Sequence, residues 1–302
     1  AAAPMLHAPL LDESELAEIA ALALEIPASQ RMSEHLQRGE QASRHRGAGI
    51  DFEDLRPYQP GDDPRRIDWR VTARLGKTFV RVYGETRQSI VWVVLDRGAS
   101  MRFGTRERLK VTQAARLAAL ILSGATRSHE AIALSLLDGE RTLSRAPRAG
   151  RAALHAALQD LSAPCPPRTD NAASTWNELL GELEISVPHG ARLWLLSDFF
   201  HLQGEDERLL ERLAARADVR LGWILDPKEA ELPKLGRVRL ATTDGILDID
   251  THADGLRQDY SEQLAARRTR LHTLAQRLRG QLLELRSDDH LSRLAQHLVE
   301  HR

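Results

Sequence analysis

The chain has 302 residues, with 42 basic against 43 acidic side chains, a 42% apolar share and one cysteine, Cys165. That length holds about two domains, or one large α/β unit with an extension, and the apolar share is enough for a packed core, which excludes global disorder. A charge balance near zero removes any whole-protein attraction to nucleic acid or anionic membrane, and a lone cysteine excludes a disulfide framework and a cysteine-based metal site.

Residues 12–26 carry the pattern of an amphipathic helix. Asp12 can cap it, Glu15 completes a capping box, and Leu16, Ile19, Ala23 and Ile26 fall on one stripe. Residues 39–76 are rich in glycine, arginine and acids, and Pro57, Pro60 and Pro64 break any long helix. Alternating β-branched and aromatic residues make 78–85 a strand. The continuous apolar run at 90–95 fits a strand buried on both faces, as in a parallel sheet covered by helices. A helix over 106–123 follows, then a strand over 131–137 that can pair with 141–144 around Asp138-Gly139, then a helix over 151–161. Beyond a proline-rich connection at 162–173, the pattern is helix at 175–183, strand at 192–196, helix at 205–217 and strand at 219–225. Residues 237–250 form a hairpin turning at Asp244-Gly245. Tyr260, Leu264, Leu271, Leu274 and Leu278 mark a long helix, and a strand at 281–285 and a helix at 291–299 close the chain. The alternation predicts an α/β protein with a doubly wound, mostly parallel sheet. It divides the chain into an N-terminal helical extension (1–38), an arginine- and aspartate-rich segment packed on the main domain (39–87) and the main domain itself (88–302).

The longest apolar stretches, 89–95 and 117–122, are far too short to span a bilayer. The opening Ala1-Ala2-Ala3-Pro4-Met5 shows no basic region followed by an apolar one, so no signal peptide is expected and the reading is cytoplasmic. Only four basic residues are lysine (77, 110, 228 and 234), an imbalance from which no function follows.

In an open α/β sheet, ligands bind outside the carboxyl ends of the strands, at the switch point of the strand order. Two strands here end in a carboxylate, Asp96 and Asp198, and the short polar side chain of Ser100 follows the first. Carboxylate and hydroxyl oxygens around one edge suit a hard cation such as Mg²⁺. The same acids can equally serve as caps for the helices that follow. On spacing alone the two readings stand level.

This pattern resembles a von Willebrand factor A-like domain, whose metal-ion-dependent adhesion site takes Asp-x-Ser-x-Ser, a distant Thr and a distant Asp. Asp96, Ser100 and Asp198 match the first acid, the second serine and the last acid. Gly98 stands where the first serine would be, and Thr169 and Thr175 compete for the threonine, with Thr175 preferred because it opens a helix. The resemblance implies a degenerate site with weak Mg²⁺ binding. Residues 55–70, Leu-Arg-Pro-Tyr-Gln-Pro-Gly-Asp-Asp-Pro-Arg-Arg-Ile-Asp-Trp-Arg, resemble the signature of the bacterial domain-of-unknown-function family 58, and the likeness extends over roughly 39–302. It implies a non-catalytic adaptor or assembly factor that accompanies a MoxR-type AAA+ ATPase and other A-domain proteins.

The signature segment itself has two readings. Asp62, Asp63, Arg65, Arg66 and Asp68 can pair internally in a clasp around a core-plugging Trp69, or the same residues can face a partner. Of these the internal clasp is preferred. A Mg²⁺-dependent hydrolase using Asp96 and Asp198 is the runner-up function, although no general base is identifiable for it. A nucleic-acid binder using the arginines between 44 and 87 is weaker, because acids interleave throughout. Neither His-x-His nor His-Glu-x-x-His spacing occurs, and there is no Gly-x-x-x-x-Gly-Lys-[Ser/Thr] loop, so zinc chemistry and intrinsic ATP hydrolysis lack support.

Overall fold

The computed structural model describes residues 9–26, 51–84, 89–138, 141–166, 175–230, 237–242, 245–250 and 254–300. They belong to two units, one of residues 1–32 with 89–302 and one of residues 33–88.

Helix α1 (Glu13–Ala23) starts where the capping box places it. The Asp12 carboxylate accepts from the Glu15 backbone N–H at 2.8 Å, and the Glu15 carboxylate accepts from the Asp12 N–H at 3.4 Å. Ile19 and Ala23 are buried, and Leu10, Leu11 and Ile26 join them in the main core. The helix of this N-terminal extension is therefore part of the main unit, because its apolar stripe is covered there. Asp12→Ala should cost about 1 kcal/mol in chemical denaturation, the usual value of a helix cap, and a loss under about 0.3 kcal/mol would show that the box is idle.

In the smaller unit, β1 (Asp51–Pro57) pairs antiparallel with β2 (Phe79–Gly84), with a 3₁₀ turn (Pro64–Arg66) and helix α2 (Trp69–Leu75) between them. The strand at 51–57 lies inside a stretch whose composition suggests only loops. Its partner strand is more than twenty residues away, and such pairing leaves no local periodicity to read.

The main unit is built on β3 (Ile90–Asp96), followed by α3 (Lys110–Arg127), β4 (Ala131–Asp138), β5 (Arg141–Arg148), α4 (Arg151–Ser162) and α5 (Trp176–Ser186). Then come β6 (Arg192–Ser197), α6 (Gly204–Ala214), β7 (Asp218–Leu225), α7 (Pro227–Ala230), a hairpin of β8 (Arg237–Thr242) and β9 (Gly245–Asp250), α8 (Asp254–Arg277), β10 (Gln281–Arg286) and α9 (Leu291–Glu300). Six strands form one sheet in the order β10-β7-β6-β3-β4-β5, parallel except for β5, which runs antiparallel at the edge. Asp244, at the expected turn of the hairpin, lies outside the described residues.

The alternation of side chains along β3 divides the core in two. Val91, Val93 and Leu95 face one cluster with α1, α3 and α9, while Trp92 and Val94 face the other with α5, α6 and α8. A strand covered on both faces has little room for unpaired polar side chains, which is the reason 90–95 reads as an unbroken apolar run. The chain leaves β3 toward β4 and β5, then crosses back to β6, β7 and β10. The order therefore reverses between β3 and β6, which makes their carboxyl ends the switch point, the place where open α/β sheets bind ligands.

Helix α3 begins four residues later than its periodicity suggests, at Lys110. The Thr105 N–H donates to the Asp226 carboxylate at 2.8 Å, and the Lys110 N–H donates to the Phe103 carbonyl at 2.8 Å. These tertiary bonds hold 103–109 as a loop against the carboxyl ends of the strands. Only the tertiary contacts could set that boundary.

Candidate functional site

Asp96 is the last residue of β3 and Asp198 the first after β6, its neighbour in the sheet. Both are buried. One oxygen of Asp96 accepts from the Gly98 N–H at 2.8 Å and the other from the Ser197 hydroxyl at 2.6 Å. One oxygen of Asp198 accepts from the Ser100 hydroxyl at 3.2 Å and the Phe200 N–H at 3.0 Å. Asp96, Ser100 and Asp198 thus meet at one edge of the sheet, joined through Ser197. Thr175 is the half-buried N-cap residue of α5, and Thr169 lies outside the described residues.

The second oxygen of Asp198 meets a group that the sequence did not nominate. Lys110 Nζ donates to it at 2.8 Å and to Glu229 of α7 at 2.7 Å. The lysine is 2% exposed. Burial alone would lower the lysine pKa, but the charges of Asp198 and Glu229 outweigh it and hold the ammonium above its usual range. Burial likewise pushes Asp198 up, and the Lys110 charge more than offsets that, so the carboxylate titrates below its usual value. Both groups are charged at neutral pH.

The network continues through a third strand end. Asp226, the first residue after β7, accepts from the Thr105 N–H and hydroxyl, the Lys228 N–H at 2.9 Å and the Ser287 hydroxyl at 3.2 Å. Its own N–H donates to Glu229 at 3.0 Å. Loop 103–109 and the ends of β3, β6, β7 and β10 are tied together by these carboxylates. Asp226 follows an apolar strand just as Asp96 and Asp198 close theirs, and that signal was available in the sequence. Lys110 carried a subtler one. A cation at the first position of a helix opposes the helix dipole, so its presence there implies a tertiary partner.

As a ligand set for Mg²⁺ these residues fit poorly. Both oxygens of Asp96 are hydrogen-bonded, Asp198 faces an ammonium at contact distance, and Gly98 supplies no hydroxyl. Among the described residues, no group of three or more His, Cys, Asp or Glu side chains could hold a metal ion.

The signature segment differs from the clasp in its details. Asp62 forms a two-pronged pair with Arg56, at 2.8 and 2.5 Å, and accepts from the Gln59 N–H. Asp63 caps the 3₁₀ turn through the Arg65 N–H at 3.0 Å, and Asp68 caps α2 through the Arg70 and Val71 N–H groups. The Arg65 side chain is exposed; that of Arg66 lies outside the described residues. Trp69, the first residue of α2, is 67% exposed, so it plugs no core. Trp69→Ala should therefore shift stability by no more than about 0.5 kcal/mol. A loss of 2 kcal/mol or more in urea denaturation would restore the clasp.

The model of the family described as "Protein of unknown function DUF58" matches residues 54–270. The chain belongs to this family. Uncharacterized proteins of Mycobacterium bovis and Mycobacterium tuberculosis are 31% identical to it over 293 residues, which is 92% of this chain and 87% of theirs. Among solved structures, BatB from Bacteroides thetaiotaomicron is similar at 13% identity and a TM-score of 0.45, over 70% of this chain and 99% of that one. The SpRpn10 VWA domain is similar at 11% identity and a TM-score of 0.42, over 70% of this chain and 95% of that one. The DUF58 chain is an α/β protein with a mostly parallel sheet whose strand order reverses at Asp96 and Asp198. No helix among the described residues is long and apolar enough to cross a membrane.

Proposed function

We propose that this DUF58 protein is a non-catalytic, cytoplasmic protein-interaction module, an adaptor or assembly factor working with a MoxR-type AAA+ ATPase and with other A-domain proteins. The observation that carries this reading is the state of the switch point. Its carboxylates are already engaged by Gly98, Ser197, Ser100, Lys110 and Thr105, while two aromatic side chains stand exposed on the adjoining loops. Phe200 is 56% exposed and Phe103 41% exposed, on the loops that carry Asp198 and lead into α3. Exposed aromatic anchors beside a rigid, satisfied network suit partner docking better than water activation. Hydrolysis would need a carboxylate able to take a proton or a metal, and Asp96 and Asp198 are poorly placed for either. The choice of ATPase rests on the signature at 55–70, in which Trp69 offers a third exposed anchor.

The test is binding of the full chain to the MoxR-type ATPase of its own host. Phe200→Ala should weaken the complex about 30-fold, the range of an interface anchor, without moving the melting temperature. Unchanged affinity in both Phe200→Ala and Trp69→Ala would remove the reading. So would Mg²⁺-dependent phosphatase or nuclease turnover that Asp198→Asn abolishes.

A further inference from the structure

We propose that the Lys110 ammonium takes the place of the divalent cation in this DUF58 protein, so that the strand-edge site is metal-independent by construction. The inference goes beyond the interaction reading and does not depend on it.

Three observations carry it. Lys110 reaches the carboxylate that the fold places at the switch point, with Nζ 2.8 Å from Asp198. It bridges that carboxylate to a second one from another element, Glu229 on α7, at 2.7 Å. The lysine is buried, and Phe103 covers it with its ring centroid 5.8 Å from Nζ, so the charge belongs to the interior and is not on offer to solvent. A divalent cation in such a site would neutralise the acid at the end of β6 and tie it to neighbouring loops. The ammonium does both. It joins the starts of α3 and α7 to the end of β6. Gly98 accords with this, because a site whose cation is a side chain has no use for a hydroxyl ligand there. A second cation beside Lys110 would have to displace the ammonium or bear its repulsion at close range.

Mn²⁺ is a suitable probe, because its paramagnetism reports binding without any assay of function. The wild-type protein should leave the free Mn²⁺ resonance signal undiminished at millimolar metal and keep its melting temperature. Lys110→Ala uncovers two carboxylates, Asp198 and Glu229. It should bind Mn²⁺, with a melting temperature that rises by about 5 °C at saturating metal. Adding Asp198→Asn should abolish that rise. If Lys110→Ala does not fold in metal-free buffer, recovery of its circular dichroism on adding Mn²⁺ supports the proposal equally. Lys110→Gln, which keeps the length and hydrogen-bond donors, supplies a folded neutral variant for the same titration. Mn²⁺ binding to the wild type that Asp198→Asn removes would overturn the proposal. So would a folded Lys110→Gln or Lys110→Ala protein that ignores the metal.

Discussion

Lys110→Met should lower the stability of the folded protein by about 3–5 kcal/mol, the cost of leaving a buried charge without its partner. The lysine is fully enclosed and Asp198 almost so, hence solvent cannot replace the missing charge. Glu229 is more open, with a side chain 28% exposed, and should tolerate the change better. Combining Lys110→Met with Asp198→Asn should recover a large part of the loss, since the deficit lies in the stranded carboxylate and not in the absent ion pair itself. Chemical denaturation of the two single variants and the double one measures this. Additive losses would mean that the pair is not coupled.

The same pair sets a pH window. Lys110 titrates above its usual 10.5 in the folded state, so its contribution is whole below that value and disappears as the pH climbs through the raised one. Asp198 titrates below its usual 3.8, so its contribution is whole above that value and disappears as the pH falls through the lowered one. The contribution of the wild-type pair is therefore level between those values. In Lys110→Met the buried Asp198 loses the charge that offsets its burial, so the stability difference between the two proteins should widen as the pH rises above 3.8 and the stranded carboxylate ionises. A difference that does not change with pH from mildly acidic to neutral would show that Asp198 is not the stranded group.

The second large effect is expected at Gly280, between α8 and β10. A methyl group there would run into the carbonyl oxygen of Val219 in β7 and lie 3.1 Å from its carbonyl carbon. The obstruction is backbone, so no rotamer change can relieve it. The Gly280 N–H is also committed to the Ala275 carbonyl at 3.0 Å, which closes the preceding helix and stops the residue from swinging away. Gly280→Ala must push β10 off β7 just before their parallel pairing begins at Gln281 and Arg220. A loss near or above about 3 kcal/mol follows, at the top of the range for overpacking. Gly181 is the control. It sits within α5 with nothing inside 4 Å of an added methyl, so Gly181→Ala should gain about 0.5–1 kcal/mol from helix propensity. If both variants behaved alike, close strand approach would not be the reason for Gly280.

Much of this architecture was legible in the chain because its signals are local. A strand covered on both faces carries a run of apolar residues, and β3 (Ile90–Leu95), β6 (Leu193–Leu196) and the second half of β7 (Leu221–Leu225) do. A reciprocal cap leaves its two residues three positions apart, and Asp12 and Glu15 mark the start of α1 accordingly. Carboxylates just beyond parallel strands have to gather on one edge, which brought Asp96 and Asp198 into view before any coordinates. The 55–70 signature likewise named the family without a fold.

What the sequence could not state is which charges would meet. Asp62 has Arg56, Arg65 and Arg66 within reach along the chain, and the hairpin geometry chose Arg56. Trp69 is as apolar as any core residue, yet its place at the start of a short helix leaves it in solvent. Lys110 lies 88 residues from Asp198 and 119 from Glu229, separations over which no periodicity or motif operates. Hydrophobic patterning acts through burial, which each segment encodes by itself. Ion pairing acts through distance, and in this protein distance is set only when β3, β6 and β7 are laid side by side.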